Sequence, residues 1–288
     1  MKKAKRILLL VLALILALSG AVGISAAVCT HCLSVKHYAV PLEGLEGEAT
    51  VVLISDLHAR EFGPGNETLI QTIAAQQPDA VFMAGDMINR TGGAAELRVI
   101  TDLVRQLTKI APVYYSLGNT ELEYMENGGE DVLRLVRAAG ASALLDDYLE
   151  TEIGGCRVNV GFTMGHYDYN RAQWDNPPDY AMEAAVGADG TPAIVLMHMP
   201  ESFFLDIHDW WTGDLYLSGH THGGVIQIPG VGGLLAPTQG WFPKYDRGCF
   251  TFDDGQFQMI INSGLAGHDR IPRVFNMPEI SVITLTGK

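Results

Sequence analysis

Thr50-Val51-Val52-Leu53-Ile54-Ser55-Asp56-Leu57-His58 is a short apolar run that stops on an aspartate and a histidine two positions apart. Its length and β-branched content are those of a buried strand. Four further runs end in the same manner. Ala80-Val81-Phe82-Met83 leads to Gly85-Asp86, Val113-Tyr114-Tyr115 to Gly118-Asn119, Ile194-Val195-Leu196-Met197 to His198, and Leu215-Tyr216-Leu217 to Gly219-His220-Thr221-His222. Strand ends that deliver only Asp, Asn and His state a chemistry, because carboxylate or amide oxygen and neutral imidazole nitrogen ligate divalent metals. Two such ions about 3.5–4 Å apart can clamp attacking and leaving oxygens, with a shared carboxylate between them.

Working outward, helical patterns near 66–77, 94–109 and 130–139 alternate with strands at 50–55, 80–84 and 112–116. This β-α-β-α rhythm predicts a largely parallel sheet whose functional residues lie beyond the carboxyl ends of its strands. After Ala141 the rhythm changes, and runs at 142–145, 148–153 and 156–162 read as consecutive strands. Residues 163–190 are loop-rich and mix aromatics with acids, as in Tyr167-Asp168-Tyr169 and Trp174-Asp175. They read equally as a lip over the site and as a packed surface loop. Strands return at 193–198 and 214–218, with a short helix starting after Pro200, and the last quarter is β-rich at 225–228, 247–253, 256–262 and 279–285. The predicted fold class is α/β, with one catalytic domain over 50–288 built on two stacked sheets with helices outside.

The first 28 residues are of another kind. Lys2, Lys3, Lys5 and Arg6 precede an uncharged run from Ile7 to Val28. As a helix those 22 residues span about 33 Å, enough to cross a bilayer. The positive end stays cytoplasmic and the remainder lies outside. A cleaved signal peptide, with small residues from Ser19 to Ala27 as cleavage options, competes with an uncleaved signal anchor, and the length of the run favours the anchor. Residues 29–49 then read as a juxtamembrane connector with a short strand from Lys36 to Val40 and a turn around Pro41 and Gly44.

The 288 residues are 48% hydrophobic and only 18% charged, which excludes a disordered chain. The formal net charge is −14, and beyond the first 28 residues 15 basic side chains face 33 acidic ones. So acidic a body does not bind nucleic acid through a basic face. Cys29-Thr30-His31-Cys32 is a single CxxC, with Leu33 where haem attachment needs histidine. It reads as a juxtamembrane pair or an exposed disulfide rather than a zinc site. Cys156 and Cys249 read as buried small hydrophobes.

Asp56 and His58, two apart at a strand end, can point to one side, and His220 and His222 repeat the device. Gly85 and Gly118 let the backbone approach the site at Asp86 and Asn119. Together, Ser55-Asp56-Leu57-His58, Pro78-Asp79 with Gly85-Asp86, Gly118-Asn119, His198-Met199-Pro200 and Gly219-His220-Thr221-His222-Gly223-Gly224 resemble the calcineurin-like metallophosphoesterase superfamily. The GHTHGG motif, with Ser263-Gly264-Leu265, Ile271-Pro272-Arg273 and Pro278-Glu279-Ile280 in the tail, is similar to its bacterial membrane-targeted branch.

The resemblance runs from about Tyr38 to Leu285 and implies two stacked mixed β-sheets flanked by helices, a four-layer αββα sandwich behind one N-terminal transmembrane or signal helix. It implies two divalent metal ions, Mn, Fe or Zn. Asp56, His58 and His222 would hold the first, Asn119, His198 and His220 the second, and Asp86 would bridge. A water or hydroxide between the metals would attack phosphorus in line. The implied activity is phosphodiester or pyrophosphate-type hydrolysis outside the cytoplasmic membrane. The implied substrate is a phosphoester of the envelope, lipid- or nucleotide-linked, and the N-terminal helix would hold the enzyme to the membrane.

Two departures stand out. The family's third motif reads Gly-Asn-His before an acid, whereas this chain reads Gly118-Asn119-Thr120-Glu121. The missing histidine serves the leaving-group oxygen. Thr120 can donate a hydrogen bond there but is no useful acid near neutral pH. The expected consequence is a preference for good leaving groups, unless His166 or His268 substitutes. Val225 stands where the branch often has Gln. Arg273 reads equally as a substrate phosphate contact and as a structural ion pair with Glu279. A non-catalytic binding or scaffold protein on the same fold is the alternative reading. A metal hydrolase of peptide or amide bonds is disfavoured, since the His-Glu-x-x-His motif is absent.

Overall fold

Strands that are apolar at every position, and not only at alternate ones, form the middle of the molecule. Ala80–Ala84 and Ala193–Met197 are buried along their whole length, as expected of strands covered on both faces. The computed structural model describes residues 2–165, 181–201, 211–252, 257–267 and 271–288. In chain order its strands are β1 (Ser34–Leu42), β2 (Glu48–Ile54), β3 (Ala80–Ala84), β4 (Val113–Ser116), β5 (Ser142–Ala143), β6 (Asp147–Ile153), β7 (Cys156–Thr163), β8 (Ala193–Met197), β9 (Leu215–Ser218), β10 (Gln227–Ile228), β11 (Gly232–Gly233), β12 (Leu235–Ala236), β13 (Gly240–Trp241), β14 (Gly248–Phe252), β15 (Phe257–Ile261) and β16 (Glu279–Gly287). The helices are α1 (Lys2–His31), α2 (Glu67–Ala74), α3 (Ala94–Leu107), α4 (Asn119–Glu126), α5 (Val132–Ala138) and α6 (Ala181–Ala185).

One sheet runs β1-β16-β2-β3-β4-β5 and the other β14-β15-β9-β8-β7-β6. The run from β2 to β5 is parallel, as are β7, β8, β9 and β15. Antiparallel pairs of β16 with β2, β6 with β7 and β14 with β15 make both sheets mixed. The sheets stack face to face: Val51, Leu53 and Phe82 share a core with Val160, Leu196 and Leu217. The outer face of the first sheet, with Val52, Ile54 and Met83, packs on Ile73, Leu103 and Val136 of α2, α3 and α5. In α3 the buried Leu97, Ile100, Val104 and Leu107 are spaced three or four apart, the stripe a helix needs to lie on a sheet. On the far side, Val195, Tyr216 and Met259 pack against Met182 of α6 and Trp211.

The expected α/β class with two stacked mixed sheets and flanking helices is what the chain forms. Several elements differ in extent or kind. The connector's short strand is nine residues long, pairs in parallel with β16 along its whole length, and so joins the first sheet. Helix α1 continues past residue 28 to His31. Within the stretch read as loop, residues 181–185 are helical. Asn119–Glu126, given no element from the sequence, is helix α4. Most of the 163–190 loop, the short helix after Pro200, His166 and His268 lie outside the described residues. All four cysteines are free, and Cys249 is exposed, not buried, because it lies on the edge strand β14.

Asn262 ties the sheets together just behind the strand ends. Its amide nitrogen reaches Leu53 O at 3.3 Å, Glu279 O at 3.3 Å and Ser281 Oγ at 2.8 Å, while its oxygen accepts the Gly264 N–H at 2.8 Å. Asn262→Ala strands these buried groups. It should lower unfolding free energy by about 3 kcal/mol or more, at about 1–3 kcal/mol for each unsatisfied group, in denaturant titration.

Candidate metal centre

The carboxyl ends of β2, β3 and β4 carry Asp56, Asp86 and Asn119, and those of β8 and β9 carry His198 and the 219–222 segment. The loops beyond the strands are laced together by backbone bonds: Asp56 N–H to Gly85 O at 3.0 Å, His58 N–H to Asp86 O at 3.0 Å, and Gly219 N–H to His198 O at 3.1 Å. Five of the seven expected ligands pay for this convergence with left-handed backbone. Asp56, His58, Asp86, His220 and His222 have φ between 46° and 67°, which costs a non-glycine residue about 1–2 kcal/mol. Strain concentrated on one cluster of polar side chains marks a functional site. Gly85 answers the close approach: a Cβ there would lie 2.6 Å from Gly118 Cα and 2.8 Å from His198 Nδ1.

Two groups of side chains result. Asp56, His58 and His222 bring their ligand atoms within 4.8 Å of one another, and so do Asp86, His198 and His220. Asp86 faces both groups. Its Oδ1 lies 3.4 Å from His198 Nε2 and its Oδ2 lies 3.8 Å from His58 Nε2. His222 Nε2 is 3.8 Å from Asp56 Oδ1. Asn119 begins α4, and its Oδ1 is buried with no hydrogen-bond partner. His198 Nε2 is likewise buried without one, while its Nδ1 lies 2.7 Å from Ala84 O. That carbonyl keeps the proton on Nδ1 and leaves the Nε2 lone pair for a ligand, as in many histidine metal sites. The donor set and the two orphaned atoms fit a pair of divalent ions.

The buried acids and imidazoles of the cluster shift one another's proton affinities. Burial alone would raise Asp86, yet His198, His58 and His220 around it hold it well below the usual carboxylate range. Burial pulls His198 down, but the Asp86 carboxylate, with Asp56 behind it, pushes it up to about 10. Asp56 is raised, chiefly by burial with a contribution from Asp86, although Ser55 Oγ donates to it at 2.6 Å. Such a dense knot of buried opposite charges is characteristic of functional sites.

Several supports were not legible in the sequence. Glu121, wholly buried, accepts the N–H groups of Asp86, Met87, Ile88 and Gly118 at 2.6–3.2 Å and the Tyr115 hydroxyl at 3.0 Å. The Gly118-x-x-Glu121 spacing is that of a capping box and was the available signal. Thr120 is also buried. Its N–H donates to Asp86 Oδ1 at 2.9 Å, and its Oγ1 lies 2.9 Å from that oxygen and 2.7 Å from Ile88 O. The hydroxyl is thus turned toward the carboxylate it steadies. Asn276 donates to His222 O at 2.8 Å and Val225 O at 3.1 Å. Arg273 is buried and gives its donors to Ser263, Ala266 and Asn276 oxygens, so its guanidinium braces the 263–276 loop at the wall of the cavity and makes no ion pair with Glu279.

A cavity of about 1070 Å³ opens over the groups, lined among others by His58, Asp86, Asn119, Thr120, His220 and His222. Glu121→Gln would set an amide NH₂ against N–H donors whichever way it turned. It should cost about 3–6 kcal/mol, two bonds to a charged acceptor at about 1.5–3 kcal/mol each. Denaturant unfolding should register that loss, and metal content per chain should fall with it.

Comparison with known proteins converges on this geometry. A family model described as calcineurin-like phosphoesterase matches residues 49–224, the span that contains all seven candidate ligands. The uncharacterized metallophosphoesterase YkuE of Bacillus subtilis is 27% identical over 259 residues, covering 88% of this chain and 83% of YkuE. Phosphodiesterase YaeI of Escherichia coli is 26% identical over 239 residues, covering 82% of this chain and 81% of YaeI. The chain belongs to the calcineurin-like phosphoesterase family.

Proposed function

We propose that this metal-dependent phosphoesterase is a dinuclear phosphodiesterase that α1 anchors in the cytoplasmic membrane with its catalytic domain outside, as in the GHTHGG-bearing membrane-targeted branch. The observation that carries the reading is Asp86, whose two carboxylate oxygens face two separate ligand groups. Asp56, His58 and His222 would hold one ion, and Asn119, His198 and His220 the other, with Asp86 shared. When bound, two such ions activate water and offset charge on the phosphoryl oxygens.

The chain's own residues orient that apparatus. Ala84 O sets the His198 tautomer, and Thr120 and Glu121 hold Asp86 and the backbone that follows it. A cavity of about 1070 Å³ leaves room for substituents on both sides of a phosphorus, which favours a diester over a monoester. The named activity of YaeI points the same way. With the Thr120 hydroxyl engaged by Asp86 and Ile88, that position supplies no proton to a departing alkoxide. The reading therefore includes a preference for pyrophosphate-type or activated diester bonds. The substrate is an envelope phosphoester, lipid- or nucleotide-linked. Helix α1, apolar from residue 7 to 28 and exposed as far as Ile24, supports the membrane placement.

Full-length protein in detergent, loaded with Mn²⁺, should hydrolyse bis(4-nitrophenyl) phosphate faster than 4-nitrophenyl phosphate. Asp86→Ala should abolish turnover. Absence of metal-dependent turnover in the parent would refute the reading. Across aryl methyl phosphodiesters the rate should fall steeply as the leaving phenol becomes more basic. A flat dependence would show that another group protonates the leaving oxygen, since general acid help is worth about 10²–10⁴-fold.

A further inference from the structure

The cavity over the metal ligands has an unexpected wall. Cys29 and Thr30, from the last turn of α1, line it together with His58, His222 and Ile271. Helix α1 is bare up to this point, with Ile24 69% and Val28 40% exposed, and then Cys29 is only 2% exposed. The contact is specific: the Phe275 N–H donates to Ser25 Oγ at 2.6 Å. No flexible linker intervenes, because α1 ends at His31 and β1 begins at Ser34, whose N–H and Oγ both donate to Pro278 O. Thr30 lies two residues beyond Val28, about 3 Å along the helix axis. A ligand against that wall therefore sits within one helical turn of the end of the bilayer-compatible stretch.

Beside α1 the cavity is lined by Ile271, and Phe275 and Met277 follow on the same segment just outside the lining. The three are 39%, 43% and 36% exposed, and Phe275 is bonded to α1 itself. The cavity also carries Met164 and Met199, with Arg60, Glu96 and an Arg90 paired to Glu123 at 3.4 Å. It thus offers apolar contact beside a cation, Arg60, as an amphiphile with an anionic headgroup requires.

We infer that the end of α1 is a wall of the catalytic cavity, and that the substrate is a phosphodiester borne by a membrane lipid, entering sideways from the bilayer past Ile271 and Phe275. The inference rests on the membrane-anchored phosphodiesterase reading and selects the lipid-borne substrate from the two sources left open there. A soluble diester carries the same headgroup chemistry but has no use for the apolar edge.

The test uses the full chain with Mn²⁺ in phosphatidylcholine vesicles. Two substrates share one fluorogenic aryl phosphodiester headgroup: one is esterified to diacylglycerol in the same vesicles, the other to glycerol in the surrounding water. The lipid form should be preferred in kcat/KM, and Ile271→Asp/Phe275→Asp should reduce the lipid-to-soluble ratio by about tenfold or more, given the loss of apolar contact. Aspartate is among the residues that tolerate the left-handed backbone of Phe275. If the double variant loses soluble turnover as well, Met277→Asp on the same edge carries the ratio test. An unchanged ratio would mean that α1 only tethers the enzyme, and would overturn the inference. Metal-dependent turnover of both forms without lipid preference would overturn it too, while leaving the phosphodiesterase reading intact. No metal-dependent turnover of either form would overturn both.

Discussion

One buried carboxylate must look in two directions at once, and the architecture around it serves that need. Asp86 sits between His198 and His58 at 3.4 and 3.8 Å, in left-handed backbone that few non-glycine residues adopt without support. The constraint comes from Glu121, which takes up the N–H groups of three successive residues, Asp86, Met87 and Ile88. Those donors fix the side chain in place and favour its ionised form, but burial and the charge of Asp86 outweigh them and leave Glu121 raised. The two acids can coexist in one dry site because each is surrounded by its own donors, backbone amides for Glu121 and imidazoles with Thr120 for Asp86.

The same economy explains the strain. Left-handed backbone at Asp56, His58, Asp86, His220 and His222 is affordable only on a rigid platform. The platform is the pair of stacked sheets, whose facing side chains are almost wholly dry. Ligands placed one or two residues beyond strand ends inherit the rigidity of those strands, and this is why Asn262 matters. It bonds β2, β16 and the 264 turn at once, so the end of the first sheet and the Asp56 loop cannot move independently.

What the chain disclosed on reading, and what it withheld, divides along the distance over which each residue acts. Asp56, His58, Asp86 and His198 announce themselves as candidates because a strand followed by a side chain able to ligate metal is a local pattern. The stacked sheets were legible for the same reason, from apolar runs and their rhythm. Glu121 acts partly on residues 33–35 positions away, and Asn276 on residues more than 50 away. No window of sequence contains both partners. Arg273 read equally as a phosphate contact and as an ion pair with Glu279, and neither reading disclosed the bonds it gives to carbonyls of its own loop. The long reach of β16, which inserts between β1 and β2 from the far end of the chain, was equally invisible. Helix α4 escaped because it begins on a ligand and carries no strong apolar stripe to betray its period.

The pairing of β1 with β16 has a consequence for the first thirty residues. A strand that enters the sheet two residues after a helix fixes where that helix can point. The tail that β16 anchors is the one that Asn276 fastens to the His222 loop and Arg273 to Ser263. Helix α1, β1, the 271–278 segment and the metal ligands are thereby one mechanical unit. Displacing α1 would disturb Phe275, then Asn276, then the carbonyl of His222. In such a unit the apolar helix is positioned by the two-sheet body as much as it positions it, and the distance between its apolar stretch and the candidate ligands becomes a property of the fold and not of a linker.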